Sequence, residues 1–222
     1  MKILRLITYI YLALGISNSY AFESKKEIED LKTQIVKVAE QYNGDTDKRE
    51  EAKDRLDSLI DNLTFLTPER TEAEKKKDII GGWKNIWSYR PFRGNTNSNQ
   101  VYQVVSSDGY YYNLSELKLG PLSFTSFLRG EYSDDGDKLI IKFTNNNLKY
   151  GFYKKGDNLV DIVSSFEASN IRSIKVPGPI GVTGILRNVY VDKDLRIVKG
   201  SSDGDDIDDL FILIRADRLI KN

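Results

Sequence analysis

The sequence contains no cysteine and no histidine among its 222 residues. Without cysteine the chain can form no disulfide, offers no thiol nucleophile and has no cysteine for a lipid anchor. Without histidine it lacks the side chain that most often serves as a general base near neutral pH. A zinc site would have to be built from carboxylates alone. We therefore expect no metal site, and any catalysis would rest on carboxylates, lysine, tyrosine or serine.

An excess of charge of one sign is also missing. Lysine and arginine together number 33, and so do aspartate and glutamate, so the formal net charge is zero. Proteins that bind nucleic acid usually carry a basic excess that pairs with phosphates. The sequence therefore predicts no nucleic-acid partner.

Residues 1–21 have the pattern of a signal peptide. Lys2 and Arg5 precede an apolar run from Ile7 to Ile16, which is too short to span a bilayer as a helix. Ser19-Tyr20-Ala21 then places small residues at the two positions that define a cleavage site. We predict that this segment directs the chain out of the compartment where it is made and is removed.

The residue that follows the predicted cleavage site is Phe22. This junction resembles the targeting sequences of algae with secondary red plastids, where a transit peptide that begins with phenylalanine follows the signal peptide. The next residues, ESKKEIED, are acidic, whereas transit peptides are poor in acids. The prediction is a plastid location in such an alga, and the alternative is the bacterial periplasm or secretion.

Residues 22–66 are predicted to form a helical hairpin. Two stripes of apolar residues recur at helical spacing, and Asn43-Gly44 between them is a typical helix stop. The first stripe is Ile28, Leu31, Ile35, Val38, Ala39 and Tyr42, and the second is Ala52, Leu56, Leu59, Ile60 and Leu63. Because the polar faces mix lysine with acids, we expect the stripes to pack against protein rather than lipid.

Residues 67–222 are predicted to form a β-barrel domain. From Ile79 onward the apolar period changes to two, and Asp-Gly turns separate several of the apolar segments. We predict eight or nine strands, and the segment from Leu159 to Phe166 is counted among them. The fold class is therefore mainly β with N-terminal helices (α+β): an antiparallel barrel, or else a sandwich, preceded by a helical hairpin.

Aromatic residues are concentrated in the predicted barrel, among them Trp83 and Tyr89. Aromatic side chains that line a barrel suit a flat or elongated apolar ligand, although each one also suits plain core packing. Asp192, Asp194 and Arg196 lie at one predicted hairpin. They are expected either to orient a ligand's polar end at the barrel mouth or to form a structural ion pair at the turn. The acidic loop from Ser201 to Asp209 is predicted to be solvated rather than to bind a metal.

Three segments resemble the plastid lipid-associated protein (PAP)/fibrillin family. The helix from Glu50 to Pro68 and the strand IIGGWKNIWSY, from Ile79 to Tyr89, match the start of that domain. VYVDKDLRIVKG, from Val189 to Gly200, followed by LFILIR matches its end, including Asp192, Asp194 and Arg196. The resemblance covers Glu50 to Arg215, with the first helix as an extra element, and the loop after Gly200 departs from the family pattern.

The resemblance implies a lipocalin-like barrel with a non-catalytic role and no cofactor. The expected partners are apolar isoprenoid or lipid metabolites, such as a carotenoid or an isoprenoid quinone, or the surface of a plastid lipid body or membrane. The predicted ligand-binding residues are Trp83, Tyr89, Asp192, Asp194 and Arg196. Two alternatives remain: an exported bacterial lipocalin-like binding protein, and a scaffold with a filled barrel whose helical hairpin docks a partner protein.

Overall fold

The structure is a computed structural model that describes residues 23–90, 101–151, 153–154, 156–168, 173–202 and 209–217. The predicted signal peptide, Phe22 and most of the acidic loop lie outside the described residues. The helices are α1 (residues 23–41), α2 (Arg49–Leu66), α3 (Glu72–Ile79) and α4 (Leu159–Ala168). The strands are β1 (Gly81–Ser88), β2 (Val101–Val105), β3 (Tyr110–Leu119), β4 (Leu122–Asp135), β5 (Lys138–Tyr150), β6 (Ser173–Lys175), β7 (Thr183–Val191), β8 (Leu195–Ser202) and β9 (Asp209–Arg215).

Eight of these strands close into an antiparallel barrel. The strands follow one another around it in the order β1, β2, β3, β4, β5, β7, β8 and β9, and β9 returns to pair with β1. The short β6 pairs with residues 147–149 of β5, beyond the part of β5 that pairs with β7. The predicted fold, an antiparallel barrel preceded by helices, is confirmed.

The Asp-Gly turns behave as the sequence predicts. Gly109 and Gly136 have positive backbone φ angles of 91° and 65°, which glycine adopts without steric cost. Each of them joins two neighbouring strands of the barrel, β2 to β3 and β4 to β5. The two turns fix which residues of the paired strands lie opposite one another. A shift by one residue would move the apolar side chains from the core face to the opposite face.

The helical hairpin packs on the outer face of the barrel. Gly44, with a φ of 80°, follows α1 and lets the chain reverse into α2. Both predicted apolar stripes face the same core as the outward side chains of β8 and β9. That core includes Leu31, Ile35, Leu56, Ile60, Leu63, Leu195, Ile197, Leu210 and Ile212. The expectation that the stripes pack against protein is therefore confirmed, and the protein that they meet is the barrel itself.

The segment from Leu159 to Phe166 is a helix, so its assignment as a strand is wrong. Its buried residues Leu159, Ile162 and Val163 recur at helical rather than alternating spacing. The Asn158 side chain accepts hydrogen bonds from the backbone N–H of Val160 (2.8 Å) and of Asp161 (3.1 Å), and so caps the helix. The helix, α4, covers the outer face of β2, β3 and β4, where Phe166 stacks on Phe127 at 4.0 Å between ring centroids.

The two ends of the barrel differ. At one end α3, which the sequence analysis did not predict, brings the buried Ile79 against the inward side chains of the barrel. At the other end β3, β4, β5 and β6 continue together past the described pairing of β2 with β3, which stops at Ser115. We call this four-stranded extension, residues 116–119, 122–125, 147–150 and 173–175, the tongue.

Candidate ligand-binding site

Arg196 lies inside the barrel and is fully buried. Strand alternation sends its neighbours Leu195 and Ile197 outward to the helices, so the Arg196 side chain points inward. Its Nε donates a hydrogen bond to Asn188 Oδ1 (2.8 Å) on β7, and its Nη1 donates one to Gln103 Oε1 (3.1 Å) on β2. Because β2 and β8 are not neighbours in the sheet, the guanidinium spans the interior of the barrel.

The positive charge of this guanidinium has no counter-ion among the described residues. The described ion pairs all involve other lysines and arginines. Burial lowers the pKa of Arg196 to about 10, so the group remains charged at neutral pH. Nη2 is buried and finds no hydrogen-bond acceptor in the described part of the chain. Buried donors without an acceptor are costly, and buried charges without a partner more so.

A second buried polar group without a partner lies close by in the sheet. Asn85 Oδ1 has no hydrogen-bond partner among the described residues. Asn85 and Arg196 both pair with Leu213 of β9, from β1 on one side and from β8 on the other. Residues opposite one another in neighbouring strands share a face, so Asn85 is directed to the same interior.

The rest of the interior is mostly apolar. The inward cluster contains Trp83, Val105, Tyr111, Leu139, Ile141, Val198 and Leu213. The Tyr111 hydroxyl donates to Asn113 Oδ1 (2.8 Å), and burial raises the pKa of Tyr111, so the phenol stays neutral. A few polar groups that converge within an apolar surround are typical of sites that bind small molecules.

The inner face of the barrel wall continues onto the tongue and remains apolar there. Leu117 pairs with Phe124, Phe124 with Tyr150, and Leu148 with Ile174, so these side chains share the inward face. Several of them are exposed: Leu122 by 45%, Tyr150 by 68% and Ile174 by 64%. These apolar side chains form a strip at the tongue end of the inward face, and the polar Ser115, Ser126 and Asn146 follow it at the next inward positions towards Arg196.

A layer of half-buried side chains separates this strip from Arg196. Phe143, Leu186 and Phe211 pack on the edge of the inward cluster and retain some exposure. Gly200 makes room for them, because a Cβ added at Gly200 would lie 2.8 Å from the Phe211 ring. The described clefts of about 260, 600 and 400 Å³ lie on the outside of the barrel, beside the helices.

Asp192 forms an ion pair with a helix and not with Arg196. One carboxylate oxygen, Oδ1, accepts the backbone N–H groups of Asp194 and Leu195, both at 2.8 Å. The other, Oδ2, accepts the Tyr190 hydroxyl (2.8 Å) and lies 2.7 Å from Lys32 Nζ on α1. Burial alone would raise the pKa of Asp192, but the bonds from Lys32 and the two N–H groups outweigh it and lower that pKa. Of the two alternatives that the sequence left open, an ion pair of Arg196 at the turn is wrong, since strand alternation turns Arg196 inward.

The other three predicted residues occupy different places. Trp83 lies inside the barrel at the end beside α3. Its Nε1 donates a hydrogen bond to Ile79 O (2.8 Å), and the Arg215 guanidinium lies 3.8 Å from its ring centroid. Tyr89 is outside the barrel, where its hydroxyl donates to Glu50 of α2. Asp194 is at the surface, 2.7 Å from Lys193 Nζ. Only Trp83 and Arg196 of the five thus share the interior.

Four further residues of the interior were not among the predicted ligand-binding residues: Gln103, Asn188, Asn85 and Tyr111. A signal for the first was present, because Gln103 is the one polar residue in the strand VYQVV and is almost completely buried. A polar residue at an inward strand position needs a hydrogen-bond partner, which here is Arg196. The identity of that partner depends on closure of the barrel and cannot be read from either strand alone.

A closed antiparallel barrel with a mostly apolar interior around the buried Arg196 is a lipocalin-like fold. The PAP/fibrillin family model matches residues 29–214, and the chain belongs to this family. The match begins within α1, so the first helix is not an extra element. A search of curated proteins found no match.

The family and the fold are consistent with a lipid-associated protein. The family is generally structural and non-catalytic, and it is typically associated with plastids. In the parts of the chain that the structure describes, no helix has the length and apolarity needed to cross a membrane. The same residues contain no group of three or more acidic side chains placed to hold a metal ion.

Proposed function

We propose that the protein is a non-catalytic lipid-associated protein that binds an apolar isoprenoid or lipid metabolite. The polar end of the ligand accepts a hydrogen bond from Arg196, and its apolar part lies against the inner face of the tongue. The observation that supports this proposal is the open Nη2 donor of a buried guanidinium. The alternative scaffold role is disfavoured, because the apolar stripes of the helical hairpin are already buried against the barrel.

Gln103→Glu tests the role of Arg196. The substitution keeps the size of the side chain but places a carboxylate beside the guanidinium, 3.1 Å from Nη1 in the native contact. We expect the variant to remain folded and to bind an isoprenoid quinone at least about tenfold more weakly, because the carboxylate competes for the charged donor. Titration of the quinone, with thermal unfolding measured in parallel, gives both quantities.

A carotenoid without oxygen atoms provides the matched ligand control. Because it offers no acceptor to Arg196, its affinity should change little between the native protein and Gln103→Glu. Equal quinone affinities for the two proteins would remove Arg196 from the site. Failure of the quinone, the carotenoid and a fatty acid alike to bind saturably would refute the binding role.

We also propose that the protein acts in the plastid of an alga with a secondary plastid. The proposal rests on the junction of Ala21 with Phe22 and on the family, which is typically plastid-associated. A fluorescent fusion of residues 1–45 expressed in a diatom should reach the plastid, and Phe22→Ala should divert it to the secretory route or the plastid periphery. Normal import of the Phe22→Ala fusion would contradict this use of Phe22, and export by a bacterial host would favour the periplasmic alternative.

A further inference from the structure

We propose that the natural ligand is a single-chain amphiphile with an anionic head group, which Arg196 binds inside the barrel. The inference rests on the proposed function and deepens it, because it distinguishes an anionic ligand from a neutral carotenoid or quinone. The head group is a carboxylate, as in a fatty acid, or a phosphate, as in an isoprenoid phosphate. Both present several oxygen acceptors around one negative charge.

The buried charge of Arg196 favours an anionic ligand. Arg196 is fully buried and charged at neutral pH, and no carboxylate of the described residues pairs with it. Its two hydrogen-bonded partners, Asn188 and Gln103, are neutral amides. A neutral ligand would satisfy Nη2 but would leave the charge uncompensated in a medium of low polarity, whereas an anion would do both.

The polar groups around Arg196 lie inside the barrel, and the apolar side chains of the tongue lie at its end. Gln103, which holds Arg196, pairs with Asn113 of β3, and Leu117 of the tongue lies four residues further along the same strand. At the usual rise of a strand this distance is roughly 13 Å. The polar groups therefore lie inside, with Ser115 at the inward position between Asn113 and Leu117, and the exposed apolar groups lie outside, which matches a head group and a hydrocarbon chain.

The inward face of the tongue carries exposed apolar side chains. Leu122, Tyr150 and Ile174 are between 45% and 68% exposed on the face that continues the barrel interior. Contiguous exposed apolar surface is typical of a binding site. A hydrocarbon chain is the occupant that we infer, because the same sheet face continues into the barrel, where Phe143, Leu186 and Phe211 have to move aside before a head group reaches Arg196.

The experiment compares ligands with the same chain and different heads. Oleate, oleyl alcohol and methyl oleate are titrated against the full mature chain at neutral pH, and farnesyl phosphate against farnesol gives the phosphate arm. We expect at least one anion to bind about tenfold or more tightly than its neutral counterpart, and the better of the two anions identifies the head group. If neutral and anionic ligands bind equally, the inference fails and the proposed function stands; if none binds, the proposed function fails.

Three variants separate the head from the tail. Gln103→Glu should abolish the preference for the anion, because it supplies the counter-ion internally. Ile174→Ser, in the tongue, should weaken the binding of oleate and of oleyl alcohol by similar factors, so that the ratio of the two affinities is unchanged. Arg187→Gln is the matched control, since Arg187 is half-exposed on β7 and lies 3.8 Å from Asp137; it should change neither quantity. If the affinity ratio of oleate to oleyl alcohol persists in Gln103→Glu, or is lost in Arg187→Gln, Arg196 is not the group that binds the anionic head.

Discussion

Asp192 and Arg196 are four residues apart in one hairpin and carry opposite charges, yet they have different partners. The turn holds Asp192 against the outer helix α1, where Lys32 is almost completely buried. The strand that follows turns Arg196 towards the interior. One charge therefore pairs with the helical hairpin, and the other has no counter-ion among the described residues.

Asp192→Asn should destabilise the protein by about 1–3 kcal/mol at neutral pH, since it removes a partly buried charge-assisted hydrogen bond to Lys32. The folded-state pKa of Asp192 is lowered despite its burial, so its contribution is present above the pKa of the unfolded chain, near 4. It is lost as the pH falls through the lower folded-state pKa. Urea unfolding between pH 7 and pH 3 should therefore show the two proteins converging in acid.

Asp137→Asn is the control for this prediction. Asp137 lies 3.8 Å from Arg187, and both side chains are 47% exposed. Exposed pairs of this kind contribute about 0–1 kcal/mol, so the substitution should have little effect at any pH. An acid dependence of Asp192→Asn that parallels that of the native protein would show that the Lys32 bond contributes nothing.

At the residue scale the sequence predicted part of the site. Arg196 was identified, but its environment was not, because the sequence shows alternation within a strand and not which face closes inward. Gln103 was visible as a polar residue in an apolar strand. Gln103 and Arg196 meet only because the barrel closes, through the pairing of β1 with β9 and of β4 with β5. The first of these pairings joins the first strand of the chain to the last.

At the scale of the elements, the spacing of apolar residues predicted most helices and strands correctly and one segment wrongly. The segment from Leu159 to Phe166 is short and apolar, and such a segment suits a buried strand and a buried helix alike. The apolar positions 159, 162, 163 and 166 are the helical signal that was missed. The strands bounded by Asp-Gly turns and the two N-terminal helices were predicted correctly because their signals are local and long.

Leu56→Ala should lower the free energy of unfolding by about 2–5 kcal/mol, because Leu56 is fully buried between α2 and the barrel. Phe65→Ala in the same helix is the matched control: Phe65 is 88% exposed, so the change should stay within about 0.5 kcal/mol. Thermal or urea unfolding of both variants checks this. Equal melting temperatures for Leu56→Ala and the native protein would mean that the hairpin is not docked in solution.

At the scale of the whole molecule, the barrel is covered outside and asymmetric along its axis. The helical hairpin covers one side and α4 another, so the two outer apolar surfaces are buried by the chain itself. Exposed apolar side chains of the inner face lie at the end away from α3, while others, such as Phe65 of α2 and Val160 of α4, lie on the outer helices. The inner face thus exposes apolar side chains at the tongue, and the buried guanidinium of Arg196 lies further inside the barrel.

The lipids that co-purify with the protein test the central claim most directly. The native chain, Gln103→Glu and Arg187→Gln are purified in parallel without detergent, extracted with organic solvent and compared by quantitative mass spectrometry. We predict that an anionic single-chain amphiphile is enriched with the native chain and with Arg187→Gln, and is depleted about tenfold or more with Gln103→Glu. The same lipid at the same abundance in all three proteins would contradict a role for Arg196 in binding it.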